Sequence, residues 1–217
     1  MGIKMKSCIL LCGGRSKRMG KDKGSMRIHK KPMIIHILES LNNEIDELII
    51  VLNSEKRIKQ YKRLIRQKDY NYKIYFTIDE IPDKGPLVGI MTGLKHIHSD
   101  YALVLPCDSP YIETDFVYTM FDTLEILTET KDEEINAVVP YHLGPIDAET
   151  IKKAEPLHSI YNKNFIPIIE EYIKRDILRV RVIMRNHKCY YIPIDNHLIN
   201  EINFRNYNRP TDIDDNI

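Results

Sequence analysis

Two adjacent glycines, Gly13 and Gly14, end an apolar run near the start of the chain, and a basic cluster follows them. The cluster consists of Arg15, Lys17, Arg18, Lys21 and Lys23. Glycine backbone lets N–H groups approach phosphate oxygens closely, and neighbouring cations complete the neutralisation. Arg18 and Lys23 are the leading candidates for this second role. The alternative is a glycine turn followed by solvated side chains, but so much charge directly after a buried strand favours a phosphate-binding loop.

This loop matches neither of the two common nucleotide fingerprints. The pattern G-x-G-x-x-G fails because Gly13 and Gly14 are adjacent, and the Walker pattern fails because Lys21 is followed by Asp22 instead of Ser or Thr. Dinucleotide-dependent dehydrogenases and P-loop NTPases are therefore disfavoured as classes of protein.

Three polar side chains, Asn53, Asp79 and Asp108, stand at the ends of other apolar runs. A carboxylate at a strand end can hold Mg²⁺, which neutralises charge on a triphosphate and at the reacting phosphorus. Asp108 is the strongest candidate for this role, and its alternative is a surface aspartate that caps a turn before Pro110. Asp79 lies beside other acidic residues, so plain solvation is the alternative for it.

Short apolar runs alternate with helical patterns along the chain. The predicted strands are residues 7–12, 46–53, 72–79, 101–108, 135–141 and 189–195, and the predicted helices begin near Pro32 and cover 54–67, 87–97, 114–127 and 164–175. Continuous apolar runs are typical of strands buried on both faces. The order predicts an α/β fold: a single-domain, Rossmann-like three-layer sandwich with a mainly parallel central sheet. Such sheets bind ligands beyond the carboxyl ends of their strands, where the candidate residues stand.

Composition narrows the class of protein further. The 217 residues fit one domain with a substantial core, and 32 basic against 31 acidic residues leave a net charge of +1. This balance argues against nucleic acid or a membrane surface as a general partner. No apolar run approaches the roughly 18 residues of a membrane span, and the first one is too short for a secretion signal. The four cysteines lack zinc spacing, so we expect reduced thiols in a cytoplasmic protein.

The basic loop resembles the start of nucleotidyltransferases that activate small phosphorylated molecules, most closely the molybdenum cofactor guanylyltransferase family. Residues 11–26, LCGGRSKRMGKDKGSM, follow the pattern L-x-G-G-x-S-x-R-M-G-x-D-K. Further matching segments occur in the family's order: DKGPLVGIMTGL (83–94), LPCDSPYI (105–112), EPLHSIYNK (155–163), RVRVIM (179–184) and FRNYNRPTDI (204–213). The similarity thus spans residues 8–213. Cys12 is a mild departure, because the family usually has a small residue such as Ala there.

The resemblance implies transfer of GMP from GTP to the phosphate of metal-loaded molybdopterin, with Mg²⁺ as cofactor and release of pyrophosphate. It implies that Arg18, Lys23 and Asp108 are catalytic and that Asp108 binds the metal. The implied nucleotide site consists of Leu11, Cys12, Gly13, Gly14, Lys23, Asn53, Asp79 and Asp108. A phosphate monoester acceptor is largely dianionic at neutral pH, so it can attack the α-phosphorus without a general base. Clustered cations and a metal are what two polyanions need in order to react.

The acceptor is expected to bind in the second part of the chain, about residues 113–217, with the nucleotide in about 1–112. Asn206 and Asn208 match the family's paired asparagines, and Arg181 is the third candidate for acceptor binding. Solvation is an equally good interpretation of the arginines in this segment. GTP and molybdopterin are the expected partners, together with cofactor-delivery proteins or acceptor enzymes, and neither nucleic acid nor a membrane is expected.

Two other interpretations stay open. The same chemistry could use CTP or a different phosphorylated acceptor, since few contacts select the base. Alternatively, the chain could bind nucleotide or cofactor without catalysis. The combination of Gly13, Gly14, Lys23 and Asp108 counts against this, because binding alone does not need a metal at the reacting phosphorus.

Overall fold

The computed structural model describes residues 3, 5–13, 22–66, 68–81, 84–131, 134–142, 153–195 and 199–207. Three residues of the predicted site, Gly14, Arg18 and Asn208, lie outside these described residues. The same holds for Arg15, Lys17 and Lys21 of the basic cluster.

The strands of the described chain are β1 (Ser7–Leu11), β2 (Arg27–Ile28), β3 (Lys31–Pro32), β4 (Glu47–Leu52), β5 (Lys73–Ile78), β6 (Tyr101–Pro106), β7 (Ala137–His142), β8 (Ile160–Asn162) and β9 (Tyr190–Ile194). Seven of them form one sheet in the order β5-β4-β1-β6-β8-β7-β9, and β2 pairs with β3 in a separate hairpin. Neighbouring strands of the sheet run parallel except at β8, which is antiparallel to both β6 and β7. The predicted mainly parallel central sheet is confirmed.

The helices of the described chain are α1 (Met33–Ser40), α2 (Glu55–Ile65), α3 (Pro86–His96), α4 (Thr114–Thr130), α5 (Ile166–Lys174) and α6 (Val180–Asn186). Side chains of successive strand residues point to opposite faces of a sheet. Cys8 and Leu10 of β1 therefore pack in a core with α1, α2 and α4. Ile9, between them, packs in a second core with α3, α5 and α6. These two cores confirm the three-layer sandwich.

Helix α3 lies close against β1 because two of its residues lack a side chain. A Cβ added at Gly93 would lie 2.4 Å from Cγ2 of Ile9, and one at Gly89 would lie 3.1 Å from Cδ2 of Leu11. Their helix-weakening effect is thus offset by packing that a larger residue would prevent. This close contact brings the start of α3 to the carboxyl end of β1.

The sequence patterns missed β8, because a strand of three residues is too short to show a period. Strands β7, β8 and β9 extend the sheet that the first half of the chain builds. One sheet therefore crosses the proposed boundary near residue 112, and the division into nucleotide and acceptor parts stays a prediction. Among the described residues, none of the helices combines the length and apolar character needed to cross a bilayer.

Candidate active site

The carboxyl ends of β1, β4, β5 and β6 open on a cleft of about 430 Å³, which we call the first cleft. This volume is in the range of small-molecule binding sites. Parallel register brings the strand ends together, since Leu11 is paired with Val51 on one side and with Pro106 on the other. The described lining residues include six of the eight predicted nucleotide-site residues: Leu11, Cys12, Gly13, Lys23, Asp79 and Asp108.

A lysine and a carboxylate meet in this cleft. Nζ of Lys23 donates a hydrogen bond to Oδ2 of Asp108 at 2.7 Å, and the two side chains are 22% and 19% exposed. Lys23 begins a short 3-10 turn, whereas Asp108 follows the end of β6. A partly exposed ion pair contributes little to stability. The pair therefore matters mainly because it holds a cation and a carboxylate together at the strand ends.

The backbone that carries Lys23 is anchored to α2. The carboxylate of Asp22 forms an ion pair with the guanidinium group of Arg57 and accepts a hydrogen bond of 3.0 Å from the hydroxyl of Tyr61. A Cβ added at Gly24 would lie 2.3 Å from that hydroxyl oxygen, so glycine is required for this close approach. Residues on both sides of Lys23 are thus fixed against the same helix.

Sequence reasoning did not predict a role for Asp22, Arg57 or Tyr61. Arg57 also lines the first cleft, and its side chain is 14% exposed. Residues 57, 61 and 65 are spaced by four, so they share one face of α2, and Tyr61 and Ile65 are buried. The sequence signal that Arg57 faces the interior was its spacing of four and eight residues from Tyr61 and Ile65, which places it on the same helix face as these two side chains.

Of the two residues predicted to contact the base and ribose, Asp79 lines the first cleft and Asn53 is not among its described lining residues. Asp79 lines the first cleft with 8% of its surface exposed, and its Oδ1 accepts a hydrogen bond of 3.4 Å from the hydroxyl of Thr92. Its Oδ2 lies 3.7 Å from where a Cβ of Gly13 would be. Asn53 is absent from the described residues that line this cleft, and its side-chain oxygen accepts a 3.4 Å hydrogen bond from Ser54.

Two thiols form part of the wall between β1 and β6. Burial raises the pKa of Cys12 well above its ordinary value, and the adjacent Cys107 raises it further. Cys12 is therefore a neutral thiol at physiological pH and contributes an apolar surface. All four cysteines are free.

A second cleft, of about 490 Å³, adjoins the first. Two of the predicted acceptor-binding residues, Arg181 and Asn206, line it together with Arg179. Arg181 is held by a hydrogen bond of 2.8 Å from its guanidinium group to the carbonyl of Ala154. The two clefts share four lining residues: Pro86, Pro106, Asp108 and Leu157. Asp108 therefore lies where the clefts meet.

A mainly parallel sheet between two helical layers, with polar side chains gathered at the carboxyl ends of its strands, defines the class of nucleotide-binding α/β proteins. Comparison with known proteins narrows this class. The chain belongs to the family described as the MobA-like NTP transferase domain, whose sequence profile matches residues 8–189. The protein is therefore a nucleotidyltransferase, and the family resemblance found in its motifs is confirmed.

Individual relatives cover nearly the whole chain. A protein of Methanothermobacter thermautotrophicus named probable molybdenum cofactor guanylyltransferase is 31% identical over 95% of this chain and 96% of its own. A protein of the same name from Flavobacterium johnsoniae is 34% identical over 79% of this chain and 76% of its own. Molybdopterin-guanine dinucleotide biosynthesis protein A from Archaeoglobus fulgidus has the same fold, with a TM-score of 0.71 and 22% identity over 96% of this chain and 95% of that one.

Proposed function

We propose that this nucleotidyltransferase transfers GMP from GTP to the phosphate of metal-loaded molybdopterin and releases pyrophosphate. The names of its relatives support this pair of substrates. The observation that carries the proposal is the position of Asp108 between two clefts, one containing Lys23 and the other Arg181 and Asn206. Two phosphorylated substrates bound in adjoining clefts would meet beside this carboxylate.

The first cleft suits a nucleoside triphosphate. The bare backbone at Gly13 can approach phosphate oxygens, and the ammonium group of Lys23 supplies a compact positive charge. Arg18, which lies outside the described residues, is proposed on the family pattern to grip the leaving pyrophosphate. Guanine presents adjacent N–H donors, and the buried carboxylate of Asp79 is a suitable acceptor for them.

The chemistry of the donor atoms at Asp108 fits Mg²⁺. This ion takes oxygen ligands and is usually held by one or two carboxylates together with substrate phosphates. Asp108 supplies one carboxylate at the junction of the clefts, and the triphosphate would supply further oxygens. When bound, the ion would neutralise charge on the triphosphate and at the reacting phosphorus.

The proposed transfer is a displacement at the α-phosphorus of GTP. An oxygen of the acceptor phosphate forms a new bond to this phosphorus, and the bond from it to the oxygen that bridges to the β-phosphate breaks. The electron pair leaves with pyrophosphate. The acceptor is dianionic at neutral pH, so no side chain has to remove a proton. The protein's contribution is to hold two polyanions together with Lys23, Arg179 and Arg181.

Pyrophosphate release tests the proposal directly. The protein is incubated with Mg²⁺, metal-loaded molybdopterin and each of the four nucleoside triphosphates in turn. Fastest release with GTP supports the proposal, whereas a preference for CTP would replace guanylyl with cytidylyl transfer. Failure with every triphosphate would reject molybdopterin as the acceptor.

The expected cytoplasmic location stays a prediction.

A further inference from the structure

Two buried polar side chains, Ser109 and His158, form a hydrogen-bonded chain with Asn206 at the second cleft, which His158 also lines. Ser109, fully buried next to Asp108, donates its hydroxyl proton to Oδ1 of Asn206 at 2.7 Å. The same hydroxyl oxygen lies 3.0 Å from Nε2 of His158, whose side chain is 1% exposed. The sequence motifs include Ser109 and His158, but the proposed function assigns neither of them a role.

With the amide oxygen of Asn206 facing Ser109, the direction of this chain follows from the number of protons. A serine hydroxyl has one proton to donate, and here it is directed to Asn206. The contact between Ser109 and His158 can then be a hydrogen bond only if Nε2 of His158 carries a proton and donates it. In the reverse direction, Ser109 would donate to an unprotonated Nε2 of His158 and accept from Asn206. The Asn206 amide would then have to turn so that its NH₂ group faces Ser109.

The direction matters because Asn206 lines the second cleft. With Oδ1 occupied by Ser109, the two N–H donors on Nδ2 are available to an acceptor oxygen. A reversed amide would present a carbonyl oxygen, which repels an anionic acceptor. Whether Nε2 of His158 carries a proton thus decides whether the amide of Asn206 presents its NH₂ group or its oxygen to the substrate.

The surroundings hold the His158 ring in place. The carboxylate of Glu155 lies 3.7 Å from Nδ1, on the opposite edge of the ring from Ser109. Glu155 in turn is 3.1 Å from Nε2 of His142. The ring of Phe204 packs edge-on against His158, with 5.0 Å between ring centroids. Nδ1 has no hydrogen-bond partner among the described residues, so the contact of Nε2 with Ser109 and the packing of Phe204 hold the ring in this orientation.

The same segment is tied to the centre of the site. The backbone N–H of Tyr207 donates to the carbonyl of Asp108 at 2.9 Å. Asp108 is therefore hydrogen-bonded to Tyr207, and Ser109 is hydrogen-bonded to Asn206. Replacing the Ser109 side chain removes its hydrogen bond to Asn206 in the second cleft, whereas Lys23 and Gly13 of the first cleft do not line the second.

We infer that His158 is a positioning residue, which orients the amide of Asn206 through Ser109 so that its N–H donors face the phosphorylated acceptor. This inference rests on the proposed function, because it assumes that the acceptor binds in the second cleft. It extends that function by adding two buried residues to the recognition of the acceptor.

Steady-state kinetics of four variants test this role. Ser109→Ala and His158→Leu break the chain, whereas His158→Gln keeps a side-chain N–H donor near the position of Nε2. Losing one oriented hydrogen bond should raise the KM for metal-loaded molybdopterin about five- to tenfold in the first two variants, while His158→Gln stays within about twofold of the native protein. The KM for GTP should not change. Ser159→Ala is the matched control, since Ser159 is also fully buried but donates to the backbone carbonyl of Glu155.

If both KM values rise together, and the Ser159→Ala control behaves like Ser109→Ala, the chain is only structural and the inference is wrong. A second measurement needs no substrate. In a ¹⁵N-labelled sample at pH 7, the His158 ring should show a proton bonded to Nε2. An unprotonated Nε2 overturns the inference, even if the enzyme is active. If the native protein transfers no nucleotide to molybdopterin, the proposed function fails and the ring spectrum alone decides the direction of the chain.

Discussion

The ammonium nitrogen of Lys23 lies 2.7 Å from a carboxylate oxygen of Asp108, although 85 positions separate the two residues in the chain. The contact forms because β1 and β6 are neighbours, so the segments that follow them leave the sheet at the same edge. It places a fixed positive charge beside the proposed metal ligand. Removing either partner should therefore affect a different part of the reaction.

Replacing Asp108 by Asn should abolish most of the turnover and leave the fold intact. The variant removes the charge that would hold Mg²⁺, and electrostatic groups at a reacting centre are typically worth about 10²–10³-fold in rate. Its thermal unfolding midpoint should hardly move, since partly exposed ion pairs contribute less than about 1 kcal/mol. Pyrophosphate release measures the rate. Asp176→Asn is the control, because Asp176 pairs with Lys84 at the same 2.7 Å on the exposed surface. Comparable activity of Asp108→Asn and native protein would require another metal ligand.

Replacing Lys23 by Met should weaken GTP binding about 10- to 100-fold, the usual effect of losing a charge-assisted hydrogen bond. Methionine keeps an unbranched side chain that is one atom shorter and removes the charge. Isothermal titration calorimetry with GTP and Mg²⁺ measures the effect, and Lys84→Met is the control for loss of a surface lysine. An unchanged GTP affinity would remove Lys23 from the triphosphate site.

Replacing Gly24 by Ala should destabilise the protein by about 1–3 kcal/mol, the usual cost of overpacking. The added Cβ would lie 2.3 Å from the hydroxyl oxygen of Tyr61, so the tyrosine must move away from Asp22. Urea unfolding measures the change in free energy. Gly13→Ala is the stability control, because among the described residues the nearest atom to its added Cβ, Oδ2 of Asp79, is 3.7 Å away. Tyr61→Phe in the Gly24→Ala background should recover part of the loss, and no recovery would show that the clash lies elsewhere.

The buried carboxylate of Glu47 should make stability depend on pH. Burial alone would raise the pKa of Glu47, but hydrogen bonds from the Ser7 hydroxyl and from the backbone and ring of His98 outweigh it and lower that pKa. A lowered pKa in the folded state means that the stabilisation is fully present above the ordinary glutamate pKa of about 4.3 and is lost as the pH falls through the folded value.

Unfolding free energies between pH 7 and pH 3 test this expectation. Glu47→Gln should be less stable than the native protein at pH 7 by about 1.5–3 kcal/mol, since it removes hydrogen bonds to a charged group. Its stability should also fall less steeply in acid. Glu129→Gln, at an exposed position of α4, provides the control. Parallel pH curves for the native protein and Glu47→Gln would refute the role of this carboxylate.

The parallel half of the fold could be predicted because β1, β4 and β6 are continuous buried runs, β5 is a run rich in β-branched and aromatic residues at the edge of the sheet, and candidate residues follow these strands. Leu11, Asp79 and Asp108 stand at or just after the ends of three of these strands, and the structure gathers them in one cleft. Asn53 satisfied the same rule but does not occur among the described lining residues. The rule identifies the edge of the sheet and not the direction of each side chain.

The acceptor side was harder to predict because β8 runs against the other strands. An antiparallel strand begins at the edge where the parallel strands end, so the residues before it reach the site. Leu157 and His158 precede β8 and line the second cleft for this reason. A search for polar residues after predicted strands cannot find them. The contacts of Asp22 with Arg57 and Tyr61 were missed for another reason. They join two segments that are distant in the sequence, so no local pattern predicts them.

The four residues common to both clefts make them one connected trough. On the proposed reaction, the dinucleotide product would occupy its full length and keep the contacts of the GMP part and of the pterin part, whereas those of the released pyrophosphate are lost. A single linked molecule loses translational freedom only once, so it should bind more tightly than GMP or the acceptor alone. Escape of the finished cofactor would then limit the rate, and a recipient protein that draws it out would accelerate the enzyme.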